Sequence, residues 1–344
     1  MRFRFLQSIF TTAPTQAGKF DKSLILKAIE RVVDGTDPRL RAVSHYRRQL
    51  WDAVEHALDY VVTFVNTLPP ASEVDRHAHI TDPRLRALFV SPDHRQEILS
   101  FSDGTRNYLK QASSPLPAEL YAALGVTRSE KTVLGIELDG EMLQREVPQT
   151  VVNFSGHRLV CLTDNEPDTR RELMKRGFDY LIEVALQGLA SIRVQKQQLE
   201  QQQHQLLFQK KARLLKAAKP GLEALLEPAT AEPTDMDAIE RQLQDVETEL
   251  EQLRTDSGTL EQHLEKVAAT LAKPEDFLQL EPVSLTLDHM NTKAPPNSRR
   301  VANTLTFDEM VLAEDRRLIA LFIRFPSHEI LPPPDVFAEA RRFL

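Results

Sequence analysis

Lys210, Lys211, Arg213, Lys216 and Lys219 put five cations into ten residues with no acid among them. Side chains of this type and density neutralise phosphates, so the run is a candidate contact for a nucleic-acid backbone. A surface of that kind usually interleaves aromatic side chains with its cations, and here only Phe208 qualifies. The formal net charge of −7 supplies no overall attraction for a polyanion. The favoured reading is local: these cations face acids on a nearby helix, with Asp235, Asp237 and Glu240 as partners. Phosphate binding is kept as the second reading.

Other side chains that could do chemistry point less far. His77 and His79, with His45, His56 and His94, suggest a metal site, but their spacing fits no common ligand pattern. Scattered histidines of this kind read as surface residues. His157 and Cys161 suggest a base and a nucleophile. Four residues apart on a strand, they share a face but lie roughly 13 Å apart, beyond hydrogen-bond reach. Cys161 therefore reads as a core residue. The sequence contains no phosphate-binding glycine loop, no dinucleotide fingerprint, no zinc-protease helix motif and no nucleophile elbow. No catalytic, cofactor-binding or metal-binding residue is assigned, and no cofactor is expected.

The elements that position these residues are clearer than the chemistry. Met236, Ile239, Leu243, Val246, Leu250, Leu253, Leu260, Leu264, Val267 and Leu271 follow alternating steps of three and four, with Ser257 the one polar position. That is a heptad seam, and it requires a partner helix. Residues 168–218 contain no proline and carry Ile182, Ala185, Leu189, Ile192, Leu199 and Leu206 in the same rhythm. This first helix has ten basic and five acidic residues, a net of +5, whereas 235–273 has four basic and ten acidic residues, a net of −6. Opposite flanking charge sets partner choice in paired helices. Lys219-Pro220-Gly221 and the run Pro228 to Pro233 between them predict a reversal, hence an antiparallel coiled-coil hairpin over 167–273. A parallel homodimer through 236–271 is the rival reading.

Around this arm the period of the sequence changes. Residues 1–20 read as a loose arm containing Phe3, Phe5, Leu6, Ile9 and Phe10, without the continuous apolar core of a signal peptide. Residues 21–128 read as an all-α domain. It includes a long helix from Asp37-Pro38 to Leu68, further helices at about 93–112 and 117–124, and the repeated Thr-Asp-Pro-Arg-Leu-Arg-Ala at 36–42 and 81–87. The repeat reads as the same helix start used twice. Residues 129–166 and 274–326 alternate as strands, with turn signals at Asp139-Gly140 and Ser155-Gly156. Each set is too small for a secure core, so both are expected in one sheet, with Leu318–Ile323 as a central strand. A Pro-rich tail with a short helix, 327–344, follows.

The fold class expected is α+β: an all-α N-terminal domain and a small, mainly antiparallel β domain with a long antiparallel coiled-coil hairpin inserted. No stretch has the roughly 18–20 apolar residues of a membrane span. The single cysteine excludes an intramolecular disulfide and suits a reducing, cytoplasmic setting. The functional expectation is a non-enzymatic structural or adaptor protein whose coiled-coil arm binds a protein partner or its own kind. A nucleic-acid-associated protein with phosphate contacts at the basic run is the alternative. An enzyme with a site between the helical and β domains is the third reading.

Overall fold

Two groups of alternating apolar strands, separated in the chain by the long helical run, share one sheet. The computed structural model describes residues 20–112, 115–139, 142–217, 234–257, 259–294 and 301–332. Strands β2 (Glu119–Asp139) and β3 (Met142–Thr163) precede the helices; β4 (Leu278–Leu287), β5 (Asn303–Leu312) and β6 (Arg316–Pro326) follow them. Their spatial order is β3-β2-β6-β5-β4, with antiparallel neighbours, and the short β1 (Ser72–Glu73) lies parallel to β6. The fold is thus α+β, and the expectation of a single sheet interrupted by helices is met. β6 is the central strand: it pairs with β2 over Ile319–Pro326, with β5 over Arg316–Ile319 and with β1 at Ile323 and Arg324, and Ile319, Ala320, Phe322 and Ile323 are buried.

The chain divides into two compact units, one formed by Leu58–Phe178 with residues from Pro274 onward, the other by Lys19–Ala57 with Asp179–Lys273. In the first unit the segment after β4 joins the two sheet edges. Val152 N–H donates to the Asn291 carbonyl and Lys293 N–H to the Thr150 carbonyl, each at 2.8 Å. Helices α4 (Pro83–Leu88) and α5 (Pro92–Phe101), with Phe89 after α4, contribute Leu85, Leu88, Phe89 and Leu99 to a core shared with Leu120, Leu124, Phe154, Phe307 and Phe325, and Ala78 of α3 (Arg76–Thr81) and Tyr108 of α6 (Asp103–Gln111) pack against it. Gly104 lets α6 lie directly against β3, because a Cβ there would overlap the Leu159 carbonyl oxygen.

Charged side chains extend the inward face of the sheet. Glu309 follows Leu305 and Phe307 on one face of β5 and is only 3% exposed. It accepts hydrogen bonds from the Arg128 Nε at 3.0 Å and Nη2 at 3.3 Å, with Arg317 at 3.5 Å. Arg128 also pairs with Glu130, Glu130 with Lys293, and Arg317 with Glu281. Each buried charge thus has an opposite neighbour, the condition for keeping it out of water. Arg170, in the first turn of α7 (Glu166–Ala217), makes a second junction. Its guanidinium donates to the carbonyls of Val65, Leu68 and Pro69 at the end of α2 (Tyr46–Thr67) and stacks 4.4 Å from the Phe322 ring centroid on β6. The cation answers helix-end carbonyls that have no partner within the helix.

The second unit is helical. It packs α1 (Lys22–Gly35), the 3-10 turn Pro38–Ala42 and the first half of α2 with the later part of α7, α8 (Thr234–Ser257) and α9 (Leu260–Leu271). Arg31 makes a two-pronged contact with Asp179 at 2.7 and 2.6 Å. Asp37 is buried and accepts from the backbone N–H and the guanidinium of Arg39 and from Arg193.

Several local expectations are corrected. Residues 117–124 are not a helix, because β2 begins at Glu119 and pairs with β6 through Val126. The long helix begins at Tyr46. Asp37-Pro38 starts only a 3-10 turn, and His45, with φ of 61°, interrupts the chain before α2. The 93–112 helix is two helices meeting at Ser102, whose hydroxyl accepts from Thr105 N–H. Ser155-Gly156 is not a hairpin turn; Gly156, at φ of 63°, lies in a bulge through which β3 continues. The two copies of the repeat share one device, an Asp carboxylate accepting the N–H of the Arg two residues on, but one opens a 3-10 turn and the other α4. The 1–19 arm, Gly140, the 219–233 reversal and the tail from Pro333 lie outside the described residues.

Two outcomes test these networks. Glu309→Ala leaves Arg128 and Arg317 short of an acceptor and should cost about 3–5 kcal/mol in denaturant unfolding. A paired Arg128→Met, Glu309→Leu change should cost clearly less. The Asp37 carboxyl is held at about 2, chiefly by hydrogen bonds from the Arg39 side chain, against an ordinary value of 3.8. A depressed carboxyl pKa contributes stability that is complete above about pH 4 and is lost as pH falls toward 2. Asp37→Asn should therefore lower stability by about 1–2 kcal/mol at neutral pH, with the gap from the unaltered protein closing as pH falls through that window.

Candidate functional site

Helices α7 and α8 bring the two halves of the proposed arm together. Gln203 Nε2 donates to Glu247 at 3.2 Å, and Lys210 Nζ meets Glu240 at 2.8 Å. A step of seven residues forward on α7 thus matches a step of seven backward on α8, so the helices run antiparallel. A 52-residue α7 is roughly 78 Å long at 1.5 Å per residue.

Among the seam positions, Ile239, Leu243, Leu250, Leu264, Val267 and Leu271 are buried, whereas Met236, Val246, Leu253 and Leu260 are half-buried. On α7, Ile182, Ala185, Leu189 and Leu199 are buried, and Leu206 is half-buried. The seam does not run through one helix. α8 ends at Ser257, and Thr259 starts α9 with a reciprocal cap, its hydroxyl accepting from Gln262 N–H and the Gln262 side chain accepting from Thr259 N–H. Beyond the break the seam positions Leu264, Val267 and Leu271 are buried on α9. Gly258 lies outside the described residues.

The basic run is split by its surroundings. Lys210 reaches Glu240, as the local reading expects. Lys211 is exposed and Arg213 half-buried. The side chain of Lys216 and the whole of Lys219 lie outside the described residues. Arg193 turns to Asp37, 3.1 Å away, rather than to the acidic helix.

Between α7 and α8, at the level of Leu206 and Val246, lies a groove of about 340 Å³, lined further by Gln202, Gln205, Gln209, Gln242 and Asp245. Amides occupy positions where apolar side chains would close the flank of a helix pair. The exposed face of α7 carries a second feature that the heptad reading passed over. Leu207 and Leu214, and Phe208 and Leu215, are two exposed pairs seven residues apart. Their signal was available in the sequence as a second heptad rhythm beside the seam.

The residues read for metal or nucleophile chemistry stay apart or are otherwise engaged. His45, His56 and His77 are exposed, and His79 is buried. His94 meets His157 edge-on at 5.5 Å, and Phe89 stacks on His157 at 5.1 Å. The His157 Nε2 lies 2.8 Å from the Leu88 carbonyl. Burial lowers the His157 pKa and pushes the Cys161 thiol up to about 12, so Cys161 is a weak nucleophile. Among the described residues no group of three or more His, Cys, Asp or Glu is placed to hold a metal ion. No helix among them is long and apolar enough to cross a membrane.

The structure also contains a feature the sequence reading did not anticipate. β2 pairs with β6 only through Val126, and the segment Asn291–Lys293 pairs with β3 at Thr150–Val152; beyond these, from Val133 onward, β2 and β3 form a two-stranded ribbon among the described residues. Val133, Leu134 and Ile136 are exposed on it, Leu134 at 72%. Pro148 faces Leu134 across the ribbon, a residue without a ladder donor on the outer strand.

No family model, curated protein or solved structure matches this chain.

A truncation series tests the seam. Leu250→Ala should cost about 2–5 kcal/mol, and Leu253→Ala, at a half-buried position, should cost less. Equal and negligible effects in denaturant unfolding followed by circular dichroism would show that α8 does not pack through this seam.

Proposed function

We propose that this protein is a non-enzymatic structural or adaptor protein that uses the α7–α8 coiled-coil arm for protein–protein interaction. The observation that carries the reading is the open groove beside Leu206 and Val246. A two-helix pair closed by leucines on both flanks is finished, whereas this one keeps a glutamine-lined opening at mid-length. Glutamine amides both donate and accept, so they can meet the polar edge of a third helix in more than one register. The partner is a helix of another protein or of a second copy. The β2–β3 ribbon, with Leu134 and Ile136 exposed, offers a separate contact surface.

Phosphate binding at Lys210, Lys211, Arg213, Lys216 and Lys219 ranks lower, because Lys210 is engaged with Glu240. A cytoplasmic setting is supported by the lone Cys161, buried and with its thiol held protonated.

A photo-crosslinking amino acid at Gln205 or Gln242, introduced in the native cell, tests the reading. Crosslinks to a defined protein or to a second copy are expected at both positions. They should vanish when the opposite groove residue is replaced by Trp. Crosslinks confined to the protein's own α7 and α8 would refute the proposed docking.

A further inference from the structure

We propose that the outer face of α7 around Phe208 seats on an anionic lipid surface. At about 100° per residue, Phe208 and Leu215 point roughly 160–180° away from Leu206, which lines the groove with α8. Leu207 and Leu214 lie on the adjoining flank. All four are exposed, Phe208 at 73%, and Lys211 projects between the two pairs and is exposed as well. An apolar patch of leucines and a phenylalanine with a lysine at its centre is costly in water and poorly explained as a solvated face.

Charge decides among the occupants. From Gln201 to Leu222 the sequence has no acidic residue. On α7, Lys210 turns to Glu240, whereas Lys211 is exposed on the same face as Phe208 and Leu215. A second copy packed through the same face would set Lys211 against its own counterpart near the two-fold axis, an unfavourable contact. Duplex nucleic acid would use the cations but leave two pairs of leucine-type side chains against phosphate and water. An anionic bilayer satisfies both halves: Phe208, Leu207, Leu214 and Leu215 enter the headgroup–acyl boundary while the Lys211 stem extends toward a lipid phosphate. The attachment is peripheral, since no described helix can span a bilayer. It uses the face opposite the groove, so the arm keeps its protein-docking flank and gains a second contact.

The test is flotation of the full-length protein with mixed phosphatidylserine–phosphatidylcholine vesicles and with pure phosphatidylcholine vesicles. Binding to the mixed vesicles alone, weakened by raised salt, is expected. Lys211→Glu should weaken it by on the order of tenfold, and Phe208→Ser with Leu215→Ser should abolish it while the circular dichroism melt is unchanged. As a second readout, Phe208→Cys can be labelled with an environment-sensitive dye, because buried Cys161, its thiol pushed up to about 12, will not compete. Dye emission should shift to the blue on mixed vesicles, and a label at exposed Gln201 should shift less. No flotation, equal binding to both vesicle types, concentration-dependent dimerisation lost in the serine variant, or binding to duplex DNA without lipid binding would each overturn the proposal. Failure here leaves the groove crosslinks at Gln205 and Gln242 unaffected, so the two readings fall separately.

Discussion

Everything in the sheet-bearing unit depends on the pairing of β2 with β6. Residues 119–126 lie beside 319–326, and β6 is joined to β5 at its other end, through Arg316–Ile319. No hairpin can make that contact; the chain must leave the sheet after β3 and come back before β4. The antiparallel α7 and α8 meet this demand, because a reversal in helix direction returns the chain toward its starting level. Loop-closure entropy rises only slowly with length, so a long helical excursion costs little more than a short one. The apolar run Leu318–Ile323 supplies the compensating burial.

Polar contacts then fix what apolar burial leaves loose. Arg170 is the clearest case, since one guanidinium answers three carbonyls at the end of α2 and covers Phe322 on β6. Glu309 is a second, placed on the same face as Phe307 and held by Arg128. In the helical unit, Asp37 and Asp179 receive Arg193 and Arg31. These contacts are spaced so that each joins segments far apart in the chain, and each is directional where hydrophobic contact is not. They define registry more than they add net stability, because each buried charge has lost its water.

The large features were legible in the sequence because they rest on period. Alternation marked β4 and β5, the apolar run Leu318–Ile323 marked β6, and the three-four rhythm marked α8 and α9. Residues 117–124 were misread for a physical reason: Ala118, Glu119, Leu120, Ala122, Ala123 and Leu124 favour a helix when read locally, and pairing with β6 overrides that preference. The turn signal at Ser155-Gly156 does not end a strand because Glu146, Gly156 and Cys161 take up positive φ and let β3 bend without ending. The α8–α9 break was visible only as Ser257 in an otherwise apolar seam, with Thr259 and Gln262 after it. Phe208 and Leu215 lie outside the inner seam, at positions a heptad assigns to solvent, so their apolar character does not register in that pattern.

The β2–β6 pairing has a consequence for how the protein is made. Some 190 residues separate the end of their shared register on β2 from its start on β6. At ribosomal speeds of about 5–20 residues per second, β2 waits roughly 10–40 s for its neighbour. During that interval the β2–β3 ribbon leaves the ribosome with one full edge bare and Leu120, Leu124 and Val126 uncovered. The bulges and Pro148 on β3 blunt its own edge, yet nothing comparable guards the side of β2 destined for β6. The nascent chain is therefore at its most aggregation-prone before the arm is translated. Faster elongation through 164–318, or a holding chaperone that recognises a bare strand, would raise the yield of folded protein without altering one native contact.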